Sequence, residues 1–208
     1  MSQLLALVSF LVPLLPAEPS QPPSVPTAAD SAARQIRYEF TVAASPGAVW
    51  GAWTTPAGLR SFFAPAAVIE LETFGRFDIH FDPNAPPGKR GAEGNVVLGV
   101  DPERMLTATW DAPPEYPAVR AQRTFLEIRL APEGTSGTRV VITQSGFGTG
   151  GEWDEVYRYF EGAWTWVAAA LQYRFEVGPI DWTRPPDLLP RMKALGGAVA
   201  ERWASRKQ

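Results

Sequence analysis

The stretch Glu152–Glu176, EWDEVYRYFEGAWTWVAAALQYRFE, constrains the fold more than any other part of this chain. Trp153, Val156, Phe160, Trp164, Val167, Leu171 and Phe175 recur in it at steps of three and four. That spacing places them on one apolar stripe of a 3.6-residue helix. Such a helix is roughly 35 Å long. Glu152, Asp154 and Glu155 fill its first turn, where negative charge suits the unpaired N–H groups. Gly150-Gly151 precedes it and Val177-Gly178-Pro179 ends it. A stripe of that length needs a large apolar partner, and the rest of the chain supplies one in the form of strands.

In residues 34–42, Ile36, Tyr38, Phe40 and Val42 alternate with polar residues, the pattern of a strand with one buried face. Ser45-Pro46 and Thr55-Pro56 are each an N-cap followed by proline at the first helical position. They predict two short helices, ending near Trp53 and Phe63. Further strands are predicted over 68–71, 76–81, 93–100, 104–110, 121–130 and 138–144. Their apolar rows include Phe77 with Ile79 and Phe81, which leaves Asp78 and His80 on the outer row, Val96 with Leu98 and Val100, Leu126 with Ile128 and Leu130, and Val140 with Ile142. Residues 82–91 and 111–119 are proline-rich loops. Seven strands at short spacing imply an antiparallel sheet. A helix segregated to one face of such a sheet is an α+β architecture.

The ends read differently. Residues 4–15 form an apolar run too short to span a bilayer and of the length of a signal-peptide core. Residues 1–20 are therefore read as an export signal, with a retained anchor and a mistaken start codon or disordered tail as the other readings. Cleavage would leave a periplasmic or secreted protein with no membrane span. Retention would leave it cytoplasmic or membrane-tethered. Residues 21–33 are a proline-rich linker. The domain is placed at 34–178 and a C-terminal extension at 179–208. Within the extension, Leu195, Val199 and Trp203 allow a helix over 191–206, which Gly196-Gly197 weakens.

The inventory for chemistry is small. There is no Cys, so thiolate catalysis and thiolate metal sites are excluded. The one histidine, His80, excludes a multi-histidine metal cluster, and it alternates with Phe77, Ile79 and Phe81, which faces it away from the helix. A net charge of −3 with scattered Arg and Lys offers no basic groove for nucleic acid. The glycine-rich segment 146–151 lacks the Lys-Ser/Thr ending of a phosphate loop and is read as flexible access to a cavity mouth, or simply as a turn of positive-φ residues. No catalytic residue, metal ligand or cofactor is assigned.

Three pieces carry a family resemblance. The first is Tyr38-Glu39-Phe40-Thr41-Val42 followed by Ser45-Pro46-Gly47-Ala48-Val49-Trp50-Gly51-Ala52-Trp53-Thr54. The second is 59–63 running into a proline-containing turn. The third is Ser145-Gly146-Phe147-Gly148 with Glu152-Trp153-Asp154 and Trp164. In this order they resemble the START-like, or birch-pollen-allergen-like (SRPBCC), superfamily. Within it the chain is most similar to the bacterial homologues of the C-terminal domain of the activator of the Hsp90 ATPase. The resemblance covers about 36–175. It implies a helix-grip fold, in which a curved sheet wraps the long helix and leaves a cavity that many relatives fill with apolar molecules. On that geometry Trp50, Trp53, Trp110, Trp153, Phe160 and Trp164 are the candidate ligand-lining residues, with core packing as the plain alternative for each. The expected function is a non-catalytic module for a small hydrophobic molecule. The alternatives are a protein-interaction or chaperone-modulating domain, favoured by Trp182 and Trp203 in the extension, and an enzyme of the same fold.

Overall fold

The computed structural model describes residues 34–196; the readings made for 1–33 and for 197–208, including Val199 and Trp203, lie outside the described residues. The element order is β1 (Ile36–Val42), α1 (Pro46–Thr54), α2 (Pro56–Arg60), β2 (Ala66–Ile69), β3 (Arg76–His80), β4 (Gly91–Asp101), β5 (Met105–Trp110), α3 (Pro117–Arg120), β6 (Thr124–Glu133), β7 (Gly137–Ser145) and α4 (Glu152–Glu176). The strands form one curved antiparallel sheet ordered β1-β7-β6-β5-β4-β3-β2. β2 to β7 therefore follow as a meander, and β1 crosses to pair with β7, Ile36 opposite Gln144 and Val42 opposite Thr138. This is the helix-grip arrangement: an open sheet, two short helices after the first strand, and the long helix at the end.

The local signals act as the sequence predicts. The Ser45 hydroxyl accepts from the amide of Ala48 at 3.4 Å and the Thr55 hydroxyl from that of Gly58 at 2.9 Å. Each satisfies one orphan donor of its helix, worth about 1 kcal/mol. α1 and α2 meet so closely that a Cβ on Gly58 would stand 2.1 Å from the carbonyl oxygen of Gly51.

Along α4 the stripe residues Val156, Phe160, Trp164, Val167 and Leu171 are buried, while Trp153 and Phe175 are half-buried. From Gly162 to Leu171 burial extends beyond the stripe to Thr165 and Ala168–Ala170. There the sheet covers one side of the helix and the chain after α4 returns toward the same end of the molecule. Ile180, Leu188 and Met192 of that returning segment are buried, and residues 189–196 are helical. The described part of the extension, residues 179–196, thus packs on the domain, and its helix starts ahead of the predicted 191.

Three sequence expectations are corrected. In β4 the core-facing residues are Asn95 and Val97, not Val96 and Leu98. Asn95 is buried because its amide donates to Asp111, and a register shift between Val97 and Gly99 reverses the faces beyond it. β6 begins at Thr124 rather than at residue 121, because 117–120 fold into α3. Asp78, assigned to the outer row of β3, is buried at a bulge between Phe77 and Ile79, where it accepts from the amide of Gly94 at 2.7 Å.

Candidate functional site

α4 runs closest to β1. The curved sheet falls away from it toward β3, β4 and β5, and the gap holds a cavity of about 600 Å³. Its inner end is made of Phe63, Trp110, Phe160 and Trp164. Phe63 and Trp110 have ring centroids 5.9 Å apart, Trp110 and Trp164 5.6 Å, and Phe160 and Trp164 6.2 Å. The outer end lies between the β3–β4 loop, with exposed Asp82 and Lys89, and the loop after β5, with exposed Glu115. Trp166 and Trp182 close one side, with centroids 6.3 Å apart. Trp182 is fixed to the end of α2: its indole N–H donates to the carbonyl of Arg60 at 2.6 Å, and the amide of Ile180 donates to that of Ser61 at 2.9 Å.

The polar groups of the inner wall are engaged with one another. The Trp164 indole N–H donates to the side-chain oxygen of Gln144 at 2.7 Å. The Gln144 amide donates to the Thr124 hydroxyl at 2.8 Å, which donates in turn to the carbonyl of Trp110 at 2.9 Å. All four residues are buried. A buried group left unpaired is costly, so this chain ties helix to sheet and leaves the wall presenting carbon to the cavity.

The rim is held by Arg120. Its guanidinium donates to the carbonyl of Gly91 at 2.9 Å, at the end of the β3–β4 loop, and to that of Ala112 in the opposite loop. It also pairs with Asp111 at 2.7 Å. Asp111 has no exposed side-chain surface; it meets Arg123 at 3.2 Å, accepts from Asn95 at 3.0 Å and from the amide of Glu93 at 3.3 Å. Burial pushes its carboxyl up, while Asn95, Arg120 and Arg123 pull it down. The amide of Val119 donates to the Glu152 carboxylate at 3.2 Å, which fastens α3 to the first turn of α4. Tyr159, on the cavity wall, has its phenol pushed up to about 12 by burial, with Glu115 and Tyr116 acting in the same direction.

Of the six residues proposed from sequence, Trp110, Phe160 and Trp164 line the cavity. Trp50, Trp53 and Trp153 do not. Trp53 is fully buried in the core behind it, edge-on to Phe62 at 5.1 Å and Phe63 at 5.6 Å. Trp50 is partly buried against the core. Trp153 lies on Gly148, where a Cβ would stand 2.5 Å from its indole nitrogen. Of the two readings of 146–151, the positive φ of Gly146, Gly150 and Gly151 fits the plain turn, and the segment contributes no residue to the cavity lining. Phe147 turns inward against Tyr157 and Phe160, and Arg34 clamps the segment through the carbonyl of Gly148 and the carboxylate of Asp154. That guanidinium holds the Asp154 carboxyl below its usual range. The two proline-rich loops, 82–91 and 111–119, both contribute lining residues. The sequence reading missed Phe63, Trp166 and Trp182. Trp166 falls off the stripe, between its positions Trp164 and Val167, and Trp182 sits in a segment without periodicity. His80 pairs across the sheet with Ala66 and Gly91 and does not line the cavity. Among the described residues no group of three or more His, Asp or Glu is placed to hold a metal ion, and no helix is long and apolar enough to cross a membrane.

The profile of the family described as "Activator of Hsp90 ATPase homolog 1-like protein" matches residues 43–176. Among curated proteins none matches the chain. Many solved structures share the fold. Protein MLL2253 from Mesorhizobium loti is 23% identical, with a TM-score of 0.56 over 67% of this chain and 94% of its own. CalU16 from Micromonospora echinospora is 20% identical, with a TM-score of 0.55 over 82% of this chain and 86% of its own. The Aha1 dimer from Colwellia psychrerythraea is 17% identical, with a TM-score of 0.54 over 69% of this chain and 97% of its own.

Proposed function

We infer, for a chain that belongs to the Activator of Hsp90 ATPase homolog 1-like family, that this protein is a non-catalytic binding module whose cavity takes a small hydrophobic molecule. The observation that carries the reading is the cavity itself. Its volume of about 600 Å³ falls within the roughly 300–1,000 Å³ of small-molecule sites. Its inner wall is aromatic, and the polar atoms there already have partners. A ligand entering it gains from leaving water and finds no group that demands a hydrogen bond. The cavity-lining Asp111 is taken up by two arginines and an amide, which leaves it no free role as a base. Trp182, which favoured a protein-binding tail in the sequence, is turned into the cavity wall.

The test is native mass spectrometry of protein purified from its own host, followed by solvent extraction of bound material. A co-purifying apolar molecule is the expected result. If nothing is extracted, and a panel of lipids and aromatics leaves tryptophan emission unchanged, the reading fails. Export through residues 4–15 is a separate proposal. N-terminal sequencing of the native protein is expected to begin near residue 20; an intact Met1 in the cytosolic fraction refutes it.

A further inference from the structure

The cavity walls differ in kind from those that accommodate a flexible chain. Nine of the lining residues are Phe, Trp or Tyr, Val167 is the branched aliphatic one, and Leu, Ile and Met do not occur among the described lining residues. Aliphatic side chains, Met above all, repack around a bent chain because they have several rotatable bonds. Trp and Phe have two, and present fixed flat faces. At the inner end the rings pack on one another in near-parallel pairs, Phe63 with Trp110 and Phe160 with Trp164, each within 19°, which holds that wall rigid. On the side they close, Trp166 and Trp182 open at 37° to each other. Trp182 belongs to the segment after the family match ends at residue 176, and its ring is immobilised by the hydrogen bond to Arg60. The rim carries both signs, Asp82 and Glu115 beside Lys89 and Arg90, so it does not select a ligand by charge.

We propose that the cavity selects flat, fused-ring aromatic molecules over flexible acyl chains, and that Trp182 is a specificity-determining residue for that choice; this rests on the hydrophobic-ligand reading above. A rigid ring system brings its faces to rigid walls without losing rotamer freedom, whereas an acyl chain must order every bond and meets walls that cannot follow it.

Calorimetric titration of the full chain with 2-anthroate and with pentadecanoate isolates the point, because both are carboxylates with the same number of carbon atoms. The native protein is expected to bind 2-anthroate about tenfold or more tightly than pentadecanoate. Trp182→Ala is expected to weaken 2-anthroate about fivefold while leaving pentadecanoate within about twofold, and Trp182→Phe, which keeps a ring, to stay within about threefold of native for both. Equal native affinities overturn the ring preference but leave the hydrophobic-ligand reading standing. A Trp182→Ala loss that is the same for both ligands overturns the role of Trp182. Failure of both to bind overturns this inference, while the hydrophobic-ligand reading stands or falls on the extraction experiment above. The native comparison needs no variant, so it decides the preference even where a substitution unfolds the chain.

Discussion

Trp164 of the long helix donates its indole N–H to the side-chain oxygen of Gln144 on β7 at 2.7 Å, with both residues buried. The contact joins the two layers of the fold through one polar bond in an apolar setting. Trp53 is as deeply buried, yet its indole nitrogen has no hydrogen-bond partner. Trp164→Phe strands the Gln144 oxygen, at about 1–3 kcal/mol beyond the lost ring volume. Trp53→Phe loses ring volume and removes an unpaired donor. Urea denaturation is expected to show Trp164→Phe as the more damaging by about 1 kcal/mol or more. Equal losses would show that the Gln144 bond adds nothing.

Arg120 joins both rim loops and faces a carboxylate with no exposed surface. Arg120→Ala is expected to destabilise the chain by about 3–5 kcal/mol, because Asp111 is left buried with a weaker set of partners. The double variant Arg120→Ala with Asp111→Ala is expected to lose less than the sum of the two single changes. Strict additivity in a double-mutant cycle would dissolve the pairing argument.

Tyr159 gives a pH signature. Its folded-state pKa is raised to about 12 from 10.0, so folding favours the protonated phenol. The stability it contributes is full below pH 10 and is lost as pH rises through about 12. Between pH 9 and 11.5 the native chain is expected to lose more stability than Tyr159→Phe does. Ultraviolet titration at the phenolate band should also show one tyrosine ionising last, and its absence from the Tyr159→Phe curve identifies the group.

Alanine normally improves a helix by about 1 kcal/mol over glycine. Gly58→Ala is expected to do the reverse, because the new Cβ would lie 2.1 Å from the Gly51 oxygen and 2.7 Å from the Cα of Ala52, both backbone atoms. A loss of about 2 kcal/mol or more is anticipated. A thermal melt in which the variant matches or exceeds the native midpoint would contradict so close a contact between α1 and α2.

The architecture was legible because its strongest signals are local. The three-and-four spacing of Val156, Phe160, Trp164, Val167 and Leu171, with glycines at both ends, fixes α4 without knowledge of what it touches. Two proline-led caps do the same for α1 and α2. β4 misled because Asn95 faces inward, and it does so only because Asp111 stands opposite, a pairing that alternation of apolar residues cannot report. The cavity was legible in part for a similar reason. Trp110, Phe160 and Trp164 belong to regular elements whose buried faces follow from period. Trp182 reaches the same space from an irregular segment, through a hydrogen bond to Arg60 that spacing does not encode. Glycine-rich 146–151 allowed either a mouth or a plain turn, and the contacts of Arg34 and Trp153 with Gly148 that favour the turn are not encoded in spacing.

The crossing of β1 to β7 bears on how the chain is made. Five hairpin-like neighbours link β2 to β7, and each can form as soon as its second strand leaves the ribosome. β1 cannot. Ile36 is synthesised early and waits for Gln144, its partner, on the order of 5–20 s at ordinary translation rates. Through that interval Ile36, Tyr38, Phe40 and Val42 form an alternating apolar edge with no native neighbour. The strand most open to mispairing is the first of this sheet to be made, and the sheet is complete only after the ribosome has passed Ser145.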